Sequence, residues 1–235
     1  MNQSVVSLTL DDLLRQRAPR NALLDSALQA SLKSRICGKV FSFMLNCLLK
    51  SSYPLQPIKK CSRVKKKCSK SAQEFMCNVY LAHVRPLLEF GSVIWNTGFV
   101  GDSKLLEGVQ RRWTKKIDGF GDLSYGERLL RLNLYSVKGR LLRADMIKCY
   151  KIFNGLSVIS PSDLFTCPQS TRTRGHRYKI LKPRISIESR RRFFSVRCVD
   201  TWNSLPDGLV SSSSLDAFKS GLHQFLGYKL YEFYN

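Results

Sequence analysis

Ser124–Gly155 reads SYGERLLRLNLYSVKGRLLRADMIKCYKIFNG, and the periodicity of this stretch decides the fold class. Ser124 followed by Glu127 has the spacing of a capping box, in which each side chain satisfies an orphan backbone N–H, and it predicts a short helix through Leu134. Ser136 offers a second N-cap. Beyond it Leu142, Met146, Cys149, Tyr150 and Phe153 recur at three- and four-residue steps, the spacing that aligns side chains on one helical face. Asn154-Gly155 supplies the stop, because both residues tolerate the left-handed conformation that ends helices.

The same period extends in both directions. Upstream, Phe75, Met76, Val79, Tyr80 and His83 trace a helical face that Pro86 is expected to end, since the residue before proline avoids the α region. Asp102 is placed to cap a helix with Leu105, Leu106, Val109, Trp113 and Ile117 on its apolar stripe. Downstream, Leu156–Ser189 is rich in Pro, Ser and Thr and predicts loop with at most a small hairpin. A helix is expected over Arg190–Trp202, ended by Ser204-Leu205-Pro206. The final one spans Ser214–Gly227, with Leu215, Phe218, Leu222, Phe225 and Leu226 inward. The fold class is therefore mainly α: a helical, bundle-like C-terminal region with a basic loop or small hairpin, and short helices at the N-terminus. Residues 1–52 form a helical N-terminal segment, 53–73 a basic, proline-containing linker, and 74–235 the C-terminal helical region.

The charge narrows the partners. The chain has 235 residues, 39 Lys and Arg against 17 Asp and Glu, and a formal net charge of +22. Such an excess repels itself until a polyanion neutralises it, and nucleic acid is the usual polyanion. The apolar fraction of 43% argues against wholesale disorder. Eight cysteines contain no C-x2-C pair. The nearest cluster, Cys61, Cys68, Cys77 and His83, matches no common zinc spacing, so no metal or other cofactor is expected. Without a signal-peptide pattern, reduced thiols and an intracellular setting, nucleus or cytoplasm, are expected. No apolar run is long enough to cross a bilayer; Ile36–Leu49 comes nearest but contains Lys39 and Asn46.

Two basic segments are the candidate binding residues. Arg111, Arg112, Lys115 and Lys116 surround Trp113, and a spacing of four stacks Arg111 over Lys115 and Arg112 over Lys116. Phosphate would turn that like-charge repulsion into attraction, while Glu107 and Asp118 are placed to neutralise part of it. Arg172–Arg197 holds ten cations against the single anion Glu188. From it Arg172, Arg174, His176, Arg177, Arg190, Arg191 and Arg192 are assigned to nucleic acid, since guanidinium forks fit phosphate and stack on bases. Tyr178, Phe193 and Phe194 are interleaved as stacking platforms, with one of the two phenylalanines expected in the core. Gly175 permits a tight turn. His83, His223 and the tryptophans Trp95, Trp113 and Trp202 read as structural. No catalytic residues are expected: there is no phosphate-binding glycine loop, H-E-x-x-H or G-x-S-x-G. Asp11-Asp12, the only adjacent acidic pair, is explained by a capped helix start.

Four phrases carry a family resemblance: His83–Asn96 (HVRPLLEFGSVIWN), Leu106–Gly119 (LEGVQRRWTKKIDG), Arg172–His176 (RTRGH) and Arg190–Pro206 (RRRFFSVRCVDTWNSLP). In this order the chain resembles, from about Glu74 to Phe225, the C-terminal thumb and post-thumb segment of the reverse transcriptase polyprotein of jockey-like non-LTR (LINE) retrotransposons. Full-length members are RNA-directed DNA polymerases with an endonuclease, and none of their catalytic residues maps onto this sequence. The resemblance implies a helical piece that grips RNA or DNA without sequence preference, with no membrane and no small-molecule substrate. The alternatives are an active polymerase fragment, in which Asp11-Asp12 stands for the aromatic-x-D-D box without its aromatic, or a truncated transposon-derived product with no selected function.

Overall fold

A computed structural model describes residues 69–168 and 175–234 of the chain. Segment 1–52, most of the expected linker, and Arg172 and Arg174 lie outside the described residues. What is described is mainly helical, with no strand among the described residues, so the basic segment is a loop and not a hairpin there.

Helix α1 (Ser69–Val79) begins inside the expected linker and runs into a π-helical turn, Tyr80–Val84, and then α2 (Arg85–Glu89). Pro86 does not end this rod. Its ring and missing N–H are absorbed at the start of α2, and the widened turn before it closes through Arg85 N–H to Tyr80 O. Gly91, at φ +67°, turns the chain into α3 (Ser92–Trp95). Helix α4 (Val100–Lys115) starts ahead of Asp102, whose carboxylate accepts the Thr97 hydroxyl at 2.6 Å. The capping box of Ser124 and Glu127 is formed and opens α5 (Tyr125–Arg131). Ser136 caps α6 (Val137–Phe153), accepting from Gly139 N, and Gly155 follows it at φ +68°.

The chain then passes through α7 (Pro161–Leu164) and the basic loop. The single helix expected over Arg190–Trp202 is three short ones: α8 (Glu188–Arg191), α9 (Phe194–Arg197) and α10 (Val199–Asn203). The break falls at Phe193, which is extended at ψ 147°. It lets Phe194, Val196, Cys198, Val199 and Trp202 all reach the core, which one straight helix face cannot do. After α11 (Asp207–Val210), α12 (Leu215–Leu226) is capped by Ser214 and leads into a 3₁₀ turn, Gly227–Leu230.

Helix α6 is the hub, packing against α2, α3, α4, α10, α12 and the 3₁₀ turn. Its Met146, Cys149, Tyr150 and Ile152 meet Phe194, Trp202, Phe218 and Leu222 in the main cluster. Phe153 lies stacked between Trp202 at 5.2 Å and Phe165 at 5.6 Å. Leu88, Trp95, Leu106, Val137 and Leu141 form a second cluster, and Tyr80, Trp113, Tyr125, Leu129 and Leu134 a third. All three tryptophans are core, as their apolar context implied. Phe75, Leu105 and Phe225, expected inward, are exposed at 53%, 55% and 39%. Neighbours at adjacent register positions fill the interfaces in their place. His83 is likewise exposed and not structural.

Gly139 is where α6 and the C-terminal turn touch. A Cβ there would sit 2.3 Å from Leu230 O, so only glycine permits the approach. Ser136 fastens the same contact, its N–H donating to Leu230 O at 2.9 Å and its hydroxyl to Glu232 O at 2.6 Å.

Candidate nucleic-acid interface

The four cations around Trp113 do not share one surface. Arg111 turns inward, its guanidinium 4.8 Å from the Tyr125 ring centroid and 5.4 Å from that of Phe233, and donates to Tyr234 O at 3.3 Å. It clamps the C-terminal segment onto α5 and is spent there. Arg112, Lys115 and Lys116 remain exposed at the C-terminal end of α4, where the helix dipole also favours cations. Glu107 does not neutralise them. It is 2% exposed and accepts Val137 N at 3.1 Å, Lys138 N at 3.2 Å and the Tyr125 hydroxyl, so its charge serves the start of α6. Burial and the facing Glu107 carboxylate push the Tyr125 hydroxyl well above its ordinary range.

The second segment divides in the same way. His176 is buried against Trp202, with rings edge to face at 5.7 Å, and its Nε2 lies 3.0 Å from Trp202 O. A carbonyl accepts, so Nε2 carries the proton. Burial lowers the His176 pKa. It is a core residue and offers a phosphate nothing. Gly175, at φ +119°, makes the turn that delivers it, with Lys179 covering the turn. Arg192 is also committed to structure. It donates to Gly98 O at 2.8 Å, pairs with Glu188 at 2.8 Å and lies over the Phe99 ring at 4.4 Å, pinning α8 to the start of α4. Arg177, Arg190 and Arg191 stay exposed. Arg177 rests on Tyr178 at 4.7 Å and Arg190 on Phe193 at 4.9 Å. Arg191 donates to Ile185 O at 2.8 Å and approaches Glu188 at 3.5 Å with its side chain still 56% exposed. Phe194 is the core phenylalanine of the pair.

Arg112, Lys115 and Lys116 at the end of α4, and Arg177, Arg184, Arg190 and Arg191 in the second segment, are thus the candidate cations that stay exposed. Because Arg192 ties α8 to Phe99 and Gly98, Arg190 and Arg191 lie toward the end of α4 opposite Arg112, Lys115 and Lys116, on a helix about 24 Å long at ~1.5 Å per residue. Asp118 stays exposed two residues from Lys116, and Glu188 lies 3.5 Å from Arg191. Glu107 and Asp145 are buried, Glu127 and Asp163 are held in capping boxes, and Glu232 pairs with Lys138 at 3.2 Å. Asp200 does face the loop, pairing with Lys182 at 2.6 Å.

The residues that sequence reading passed over are Arg140, Arg143, Lys148 and Lys151, which with Arg85 line a cleft along α6. They were legible as a basic ridge at helical spacing, but they are not adjacent in sequence and no charge run draws attention to them. Among the described residues no group of three or more His, Cys, Asp or Glu could hold a metal ion, and no helix is long and apolar enough to cross a membrane. Cys149 and Cys198 are buried free thiols, Cys77 is half-buried and Cys167 exposed. No family model, curated protein or solved structure matches the chain.

Proposed function

We propose that this chain is a nucleic-acid-binding tail of a non-LTR retrotransposon reverse transcriptase, binding RNA or DNA without sequence preference and carrying neither polymerase nor endonuclease chemistry. The observation that supports the binding half is the imbalance of the surface. Glu107 and Asp145 are buried, one at the start of α6 and one in the ion pair with Arg197, while Arg112, Lys115, Lys116, Arg177, Arg184, Arg190 and Arg191 are left facing solvent. A phosphate backbone is the ligand for such a surface, because each neutralised phosphate releases counterions. Arg112, Lys115 and Lys116 at one end of α4 and Arg190 and Arg191 toward the other would let one strand running along the helix meet both sets. The family half of the reading rests on the sequence phrases. The protein acts in the nucleus or cytoplasm, where such an element meets its RNA and its target.

The test is fluorescence anisotropy of single-stranded RNA, hairpin RNA and duplex DNA against the purified protein across a salt series. Binding that weakens steeply with salt and varies little with base sequence is expected. Weak binding to all three at moderate salt overturns the reading. Magnesium-dependent primer extension would overturn its non-catalytic part.

A further inference from the structure

Phe99 occupies the N-cap position of α4, where the backbone is extended at ψ 140° and the side chain makes no capping hydrogen bond. Ser, Thr, Asn or Asp usually stands at such a position, because a side-chain oxygen there satisfies an orphan helix N–H. Here an apolar ring takes the place, and it stays 43% exposed even with the Arg192 guanidinium over it at 4.4 Å. Val100, next in the chain, is also exposed. At Gly101 no other part of the described fold comes within 4 Å of where a Cβ would stand, so the surface beside the ring is open.

The cations arrive with the ring. Arg192 donates to Gly98 O at 2.8 Å, which brings α8 and its neighbouring arginines against the start of α4. Arg190 stays exposed, over the half-buried Phe193 ring at 4.9 Å. Two carboxylates are close. Glu188 pairs with Arg192 at 2.8 Å and approaches Arg191 at 3.5 Å, and Asp102 accepts the Thr97 hydroxyl at 2.6 Å. Three guanidiniums against two carboxylates leave the rim of the ring cationic.

An uncovered ring edged by guanidiniums suits one ligand chemistry. Every nucleobase has a π-face that stacks on an aromatic side chain, and the phosphates on either side of it are drawn to flanking arginines. In a duplex those faces are covered by neighbouring bases, so only an unpaired base can use the ring. We infer that Phe99 is a stacking platform for an unpaired base of single-stranded RNA or DNA, with Arg190 and Arg191 taking the adjacent phosphates. The inference rests on the function proposed above and adds to it a contact that a duplex cannot make.

The experiment compares the wild-type chain with F99A, F99L, F99W and R190A/R191A. Each is melted, then titrated across a salt series with oligouridine, oligodeoxyuridine and a duplex DNA of the same length. F99A is expected to weaken both single strands by about tenfold and to leave duplex affinity unchanged. Its salt slope stays at the wild-type value, because phenylalanine carries no charge, whereas R190A/R191A flattens the single-strand slope by about 1.4 units. F99L keeps apolar bulk beneath Arg192 without a ring face, so it loses the same affinity at a Tm near that of wild type. F99W keeps the ring and the affinity. Its indole emission falls on strand binding by more than that of wild type, whose three tryptophans are buried. Single-strand affinity unchanged in F99L, duplex affinity lost as steeply as single-strand affinity, or no added quenching in F99W overturns the platform. Salt-dependent binding by a wild type that F99L matches leaves the proposed function standing and removes only the platform. A wild type that binds none of the three ligands overturns both.

Discussion

Arg197 and Asp145 form a two-pronged ion pair inside the helical core, with Nε and Nη2 of the arginine at 2.9 and 2.8 Å from the two carboxylate oxygens. The pair joins α9 to α6, and the same guanidinium donates to Val93 O and Arg192 O, each at 3.0 Å. One side chain therefore holds α3, α8 and α9 against the central helix. In the sequence this residue looks like one more cation of a binding segment; in the fold it is a structural rivet.

Removing one partner of a buried pair leaves the other charge uncompensated. Arg197→Ala and Asp145→Ala are each expected to lower stability by about 3–5 kcal/mol. Arg197→Lys should rescue little, because an ammonium cannot make the two-pronged contact and reach two carbonyls as well. Urea denaturation measures all three, and an Arg197→Ala variant as stable as wild type would show that the pair is dispensable.

The arginines divide into surface and structural sets, and two readouts separate them. Arg112→Ala/Lys115→Ala/Lys116→Ala should flatten the single-strand salt slope by about 2 units, at ~0.7 per cation, with little change in Tm. Arg111→Ala and Arg192→Ala should do the reverse, lowering Tm while keeping most of the slope, because their guanidiniums hold Tyr125, Phe233, Gly98 and Phe99. Equal slope losses from Arg111 and Arg112 would place both at the interface.

Gly139→Ala forces a methyl group to 2.3 Å from Leu230 O, and that atom is backbone and cannot swing aside. The C-terminal turn must shift or detach, at a cost of about 1–3 kcal/mol. Thermal melting reads the loss, and faster hydrogen exchange at Ser136 N–H, which donates to Leu230 O, localises it. An unchanged melt would mean that the turn moves without penalty.

His176 makes stability depend on pH. Burial lowers its pKa in the fold, whereas in the unfolded chain it titrates near ~6.5. Below that pH the unfolded state therefore binds more protons than the folded one, so the stability contribution is full above about pH 6.5 and is lost as pH falls below it. A proton added at Nδ1 would also enter a buried site without an acceptor. The urea midpoint should fall between about pH 7.5 and pH 5 in wild type, and by less in His176→Gln. An equal fall in both would assign the acid sensitivity to other groups.

The helical architecture was largely legible because its signals are local. The capping box at Ser124 and Glu127, the caps Ser136 and Ser214, and the stop at Asn154-Gly155 act on the nearest turns of the chain, and all of them are realised. The proline rule failed at Pro86 because a π-turn, which the one-dimensional pattern does not encode, made room for the ring. The single helix over Arg190–Trp202 failed for a related reason: burying five side chains in one core outweighs the continuity of one helix.

The sequence by itself determined that this is a mainly helical, strongly basic chain, since the period of its apolar residues and its charge excess belong to the chain before it folds. Which cations face solvent was decided only by the tertiary structure. Arg197 finds Asp145 across 52 positions and Arg192 finds Gly98 across 94, while Arg111 finds the rings of Tyr125 and Phe233. A guanidinium has one charge and one fork, and whether that fork meets a carboxylate, a carbonyl or water depends on partners that only folding brings within reach.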